Sequence, residues 1–275
     1  MTYCIGLNLD DGLVLASDSR TNAGVDHIRR AGKMRVFAED GERVVVTLSA
    51  GNLSLTQNVL NLLEHRARHE PGRVGILNAT SMFEVAQVIG DAMREIRARD
   101  EAYLRDGGID PTGSFIVGGQ IKGEAPRLFL VYSEGNFIES SGETPFFQTG
   151  EIKFGKPILD RVIEVHTDLD TAVKCTLVSF DSTIRSNLSV GPPIDLLVYR
   201  RDSLRVAHQR RFEDDDAYLG SIRNHWNDSM RHAVAGLPSP DWSVDDHPTT
   251  PVPPVCTPAL VEPVAAVLST PPSRT

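Results

Sequence analysis

Thr2 is the residue with the most chemistry within reach. An initiator Met followed by a small Thr is a good substrate for methionine removal, which would leave Thr2 with a free α-amine. A threonine hydroxyl holds its proton too tightly to attack a carbonyl at neutral pH. A terminal α-amine, with a reference pKa of about 7.7–8.0, is neutral often enough to take that proton. Nucleophile and base on one residue also avoid the entropy of bringing them together. Two further ionisable residues suit the same chemistry. Asp18 closes the run Leu13-Val14-Leu15-Ala16-Ser17-Asp18, and Lys33 is an isolated cation ahead of the next apolar run. A lysine near Thr2 lowers the amine pKa, and a carboxylate keeps the lysine charged and oriented. If Met1 stayed, the base would be an amide and this chemistry would fail.

The elements that must position these residues follow from patterning. Alternating apolar positions predict strands over 2–9 and 13–19 about Asp10-Asp11-Gly12, then 34–38 and 43–50 about Glu39-Asp40-Gly41. Helical spacing predicts helices over 52–69 and 81–106, the second opened by Ser81 with Glu84 three residues on, a capping box. Strands return at 114–117, 127–132 and 136–140, and helices near 157–164 and 168–185. A last hairpin is expected from 194–200 and 204–209, and a final helix over 214–235 behind the acidic run Glu213 to Asp216. Strands and helices in blocks, not strict alternation, argue against a parallel sheet. They fit an α+β fold of two stacked antiparallel sheets with helices outside.

The pattern Thr2, Gly6, Asp10-Asp11-Gly12, Ser17-Asp18-Ser19-Arg20 and Gly24, followed by Lys33 and Ser49-Ala50-Gly51, resembles the opening of proteasome β-type subunits. Those are N-terminal nucleophile (Ntn) hydrolases. Within them the chain is most similar to the bacterial ancestral-β-subunit (Anbu) branch, through Thr2-Tyr3-Cys4, the segment Ser17 to Gly24, Gly150 to Pro157, and Ser186 to Gly191. The resemblance runs from Thr2 to about Trp242. It implies the four-layer αββα sandwich, with catalytic roles for Thr2, Asp18 and Lys33. It implies that Gly51 N–H serves the oxyanion, that Asn22 binds substrate backbone where proteasome subunits usually carry Thr, and that Ser49 lines the side-chain pocket. Asp181 matches the family's later aspartate.

Two segments depart from the pattern. Thr149-Gly150-Glu151 stands where the family has a Ser-Gly-Ser turn supporting the terminal amine. Ser182, Ser186 and Ser189 all remain counterparts of a further serine. No propeptide beyond Met1 is expected.

Three function classes follow from this. The first is a threonine-nucleophile peptidase acting on a peptide or amide substrate without metal or cofactor. The resemblance implies that such a subunit self-assembles into a ring or open helical stack; an ATPase partner is possible by analogy, and nothing in the chain demands one. The second is a small-molecule amidase or amide transferase with the same nucleophile. The third is a non-catalytic scaffold subunit.

Composition removes other classes. The net charge of −9 and the lack of a dense basic tract argue against nucleic acid. The three cysteines, Cys4, Cys175 and Cys256, form neither a disulfide framework nor a zinc pattern. His65 and His69 lie four apart with no third ligand suggested, so a solvated helix face is expected. No signal-peptide pattern and no apolar run of membrane-span length is visible, which leads us to expect a cytoplasmic protein. Ten of the 17 prolines fall in residues 238–275. That composition predicts a disordered tail after a domain spanning 1–237, with Val252 to Val255 a possible polyproline ligand.

Overall fold

The structure is a computed structural model that describes residues 2–22, 28–70, 72–206 and 208–240, with the backbone alone at 21–22 and 28–30. Along the chain lie strands β1 (Tyr3–Leu9), β2 (Gly12–Asp18), β3 (Arg20–Asn22), β4 (Ile28–Arg30), β5 (Met34–Glu39) and β6 (Arg43–Gly51). Helices α1 (Leu53–His69) and α2 (Met82–Asp106) follow. Next come β7 (Gly113–Ile121), β8 (Arg127–Val131), β9 (Phe137–Glu139) and β10 (Phe146–Gly150). Helices α3 (Lys156–Val162) and α4 (Leu169–Ser186), strands β11 (Ile194–Arg200) and β12 (His208–Phe212), and helix α5 (Ala217–Ala235) complete the order.

Two five-stranded antiparallel sheets result, ordered β10-β1-β2-β11-β12 and β5-β6-β7-β8-β9, with β3-β4 a separate two-stranded ribbon. Strand periodicity distributes the core into three layers. In β6, Val44, Val46 and Leu48 face the other sheet, where they meet Cys4, Leu13 and Leu15, while Val45 faces α1 and α2. In β1 and β2, Tyr3, Ile5, Leu7, Val14 and Ala16 pack under α3 and α4. Strands buried on both faces need helices outside, which gives the expected αββα sandwich.

Helix starts follow local chemistry. Asn52, Ser81 and Asp168 each accept a backbone N–H from three residues on. The return arm of the capping box differs from expectation: Glu84 Oε2 takes the Thr80 N–H and hydroxyl instead of the Ser81 N–H. Asp216, the last of the acidic run, accepts from Tyr218 and Leu219 N–H and opens α5.

The last hairpin also departs from expectation: its second strand begins at His208, not Leu204. Residues 202–204 are tied elsewhere. Gln120 binds Asp202 through both its amide nitrogen and its oxygen, and Leu204 N–H donates to the Tyr199 hydroxyl. Asp202 and Leu204 also hold φ of 61° and 44°, which no strand residue adopts. Strands β3, β4 and β10 add to the predicted set.

The chain divides into two compact units, Met1–Arg231 and His232–Thr275. The first holds both sheets. The second is described to Pro240 and holds the end of α5. Most of the expected tail, with Val252 to Val255, falls outside the described residues, as do Met1 and Gly24. Among the described residues no helix is long and apolar enough to cross a membrane, and no metal-binding cluster is found.

Candidate active site

Three of the predicted residues converge at one end of the sandwich. Thr2 immediately precedes β1 and shares strand parity with Cys4, which faces the interior between the sheets. Asp18 ends β2 beside the start of β1. Its Oδ1 accepts the Tyr3 N–H at 3.0 Å and the Lys33 ammonium at 2.6 Å. The ammonium therefore sits one carboxylate oxygen away from the peptide nitrogen that follows Thr2. Lys33 Nζ also donates to Arg20 O at 2.7 Å, tying the head of β3 into the same cluster.

All three side chains are withdrawn from water: Asp18 is 0%, Lys33 4% and Thr2 8% exposed. Burial pushes the Asp18 carboxyl above its usual range, opposed by the Lys33 ammonium and the Tyr3 N–H, with the Gly191 N–H adding to the opposition. Asp18 Oδ2 is buried and makes no well-formed hydrogen bond among the described residues.

Gly51 closes β6 with φ of 98°, and a Cβ at that position would lie 2.5 Å from Thr112 O. Asn52 N–H donates to Thr112 O across the sheet, and Ser49 N–H donates to Lys33 O on the other side. Strand alternation then aims the Gly51 N–H past Lys33, off the end of β5. Ser49 is buried, and its carbonyl accepts from the Cys4 thiol. Burial pushes that thiol well above its usual range, which fits a packing role. The backbone of Asn22 lies in β3, paired with Ile28, and its side chain lies outside the described residues.

Asp181 is placed differently from these. It is buried on α4, and its carboxylate is bound by Arg223 of α5 at 2.7 Å. Its described hydrogen bonds do not reach Thr2, Asp18 or Lys33, and neither do those of the Ser182, Ser186 and Ser189 hydroxyls.

Instead the structure brings up Glu151 and Asn187. Glu151 N–H donates to Thr2 O at 2.7 Å, and its carboxylate accepts from Asn187 Nδ2 at 2.8 Å. Gly150 makes this approach possible, because its φ is 89° and a Cβ there would fall 1.9 Å from Thr2 O. Their signal was present in the sequence. Thr149-Gly150-Glu151 was the segment departing from the family turn, and Asn187 lies in the Ser186 to Gly191 segment that carried the resemblance.

Two layers of antiparallel sheet between helices, with Thr2 beside a buried Asp–Lys pair at the mouth of the interior, define an Ntn-hydrolase fold of the proteasome β type. No protein-family model matches the chain. "Proteasome subunit beta 1" of Pyrobaculum calidifontis is 27% identical over 210 residues, 74% of this chain and 94% of that protein. Among solved structures, Anbu (ancestral β-subunit) from Yersinia bercovieri is 45% identical with a TM-score of 0.82, covering 87% of this chain and 99% of its own. A helical assembly of the Anbu complex from Pseudomonas aeruginosa is 48% identical with a TM-score of 0.84, covering 88% and 100%. The chain belongs to the Anbu family of proteasome-like ancestral β-subunits.

Proposed function

We propose that the protein is a threonine-type hydrolase that cleaves peptide or other amide bonds through Thr2 once Met1 has been removed. The observation that carries this reading is the single Asp18 oxygen shared by the Lys33 ammonium and the N–H of Tyr3, the residue that follows Thr2. In the mechanism, the neutral Thr2 amine takes the Oγ1 proton as Oγ1 attacks the substrate carbonyl. The Gly51 N–H stabilises the oxyanion. The protonated amine then passes its proton to the leaving amine as the C–N bond breaks, leaving an ester on Thr2. Water, deprotonated by the same amine, hydrolyses the ester and regenerates the enzyme. Asp18 and Lys33 hold the charge around the amine. Ser49 lines the wall of the pocket and the backbone near Asn22 pairs with extended substrate, while Asp181 ties α4 to α5 through Arg223. No metal or cofactor enters this scheme.

We infer that the subunit works in the cytoplasm and, by kinship with the helical assembly of its Pseudomonas relative, as a homo-oligomer. A fluorogenic peptide-amide library tests the reading. Turnover by the Met1-free protein that disappears in Thr2→Ala and Lys33→Met supports it. Turnover unchanged in Thr2→Ala contradicts it.

A further inference from the structure

Thr2 and Glu151 stand opposite each other. The β1–β10 register runs from Leu7↔Phe146 to Tyr3↔Gly150. Just past the end of β10, where Gly150 turns the chain, Glu151 N–H donates to Thr2 O at 2.7 Å and sets the two residues side by side.

Glu151 is 8% exposed, so its carboxylate is largely removed from water. Asn187 Nδ2 holds one carboxylate oxygen, and Asn187 Oδ1 accepts the Ser189 N–H at 2.9 Å, which fixes the orientation of the amide. Among the described residues no Lys, Arg or His forms an ion pair with Glu151; Lys33 is committed to Asp18, and Arg20 donates to Leu188 O. A buried carboxylate held only by a neutral amide is costly until a cation arrives. Removal of Met1 creates such a cation on the residue opposite.

We propose that Glu151, aimed by Asn187, is the counter-charge of the Thr2 α-ammonium and sets the pH at which that amine becomes a free base. The inference rests on Thr2 being the N-terminal residue of the working protein. Charged groups meet at this end of the sandwich from several elements. Asp18 comes from β2, Lys33 from the lead into β5, and Glu151 from the end of β10. The loop after α4 adds the neutral Asn187 and the Gly191 N–H. Arg20, at the head of β3, donates to Leu188 O, and its guanidinium lies against Gly191. Lys33 lowers the pKa of the amine and Glu151 raises it, because an opposite charge favours the ionised form. Glu151 therefore opposes the effect of Lys33, and losing its charge should let the amine become a free base at lower pH. Glu151→Gln removes the charge and keeps an oxygen for Asn187.

The test uses the full-length, Met1-free protein. Trace acetic anhydride labelling across pH, read by mass spectrometry of the N-terminal peptide, gives the amine pKa without any need for catalysis. The rate of β-lactone labelling across pH gives the acid limb of the nucleophile. We expect the amine pKa to fall by about one unit from parent to Glu151→Gln, with the acid limb moving equally. Asn187→Ala should shift both in the same direction by less, and it decides the matter if Glu151→Gln does not fold. An unchanged amine pKa in the folded variants overturns the inference even if the lactone labels. A lowered amine pKa with no lactone labelling upholds it and instead defeats the hydrolase reading.

Discussion

At Asp18 and Lys33, two opposite charges occupy a setting that would tolerate neither alone. The pair is fully screened from solvent on the Asp18 side, so removing one partner strands the other in a poor medium. Lys33→Met is expected to abolish Thr2 labelling and to cost about 3 kcal/mol of stability at pH 7. The sign of its pH dependence follows from burial. Without Lys33, the folded Asp18 carboxyl rises further above its unfolded value, so below that raised value the folded state binds the extra proton. The penalty should therefore shrink as pH falls. Urea melts of parent and variant at pH 7 and pH 5 check this: the gap should narrow at pH 5, and a gap that widens would contradict it.

Among the elements, the end of β10 governs the site as much as β1 does. Gly150 lets the chain turn against Thr2 O, and Glu151 N–H then fixes that carbonyl. Gly150→Ala places a methyl on the Thr2 carbonyl in a backbone region that L-residues avoid. We expect a loss of about 2–4 kcal/mol, measured by denaturant melts, together with slower labelling of Thr2. A variant as stable and reactive as the parent would show that this turn does not position Thr2.

The same element shows where the sequence was hard to read. Phe146 to Gly150 is five residues that follow a proline and end on a glycine, too short to display a period of its own. It becomes a strand because β1 offers an edge. The long runs of β1, β2 and β6 and the helices α1 and α2 carried their periodicity openly. Leu204 misled in the opposite way. Its apolar side chain suited a strand, but its N–H is claimed by the Tyr199 hydroxyl. At the site, Thr2, Asp18 and Lys33 were legible because their chemistry is explicit in residue type and order. Glu151 and Asn187 lay in segments the sequence marked, but their pairing was not legible, since 36 positions separate them and only the fold brings them into contact.

For the whole molecule, three hydrophobic layers make the end of the sandwich a rigid frame for the Thr2 cluster. The Yersinia and Pseudomonas relatives are covered almost completely by 87–88% of this chain, and the remainder of the chain has no counterpart in them. We expect a chain ending at Pro240 to keep its thermal midpoint within about 2 °C of the full protein and to keep the same oligomer mass. Scanning fluorimetry and light scattering check both, and a collapse of either would place structural work in the final 35 residues.

The central claim is that Thr2 is a free and reactive N-terminal nucleophile. The most direct measurement is the intact and N-terminal peptide mass of the cell-expressed protein, with and without a β-lactone or epoxyketone probe. The account predicts a chain beginning at Thr2 that gains one probe on that residue, and loss of the adduct in Lys33→Met. A retained Met1, or a free Thr2 that never takes up the probe, would contradict it and favour a subunit that assembles without catalysing.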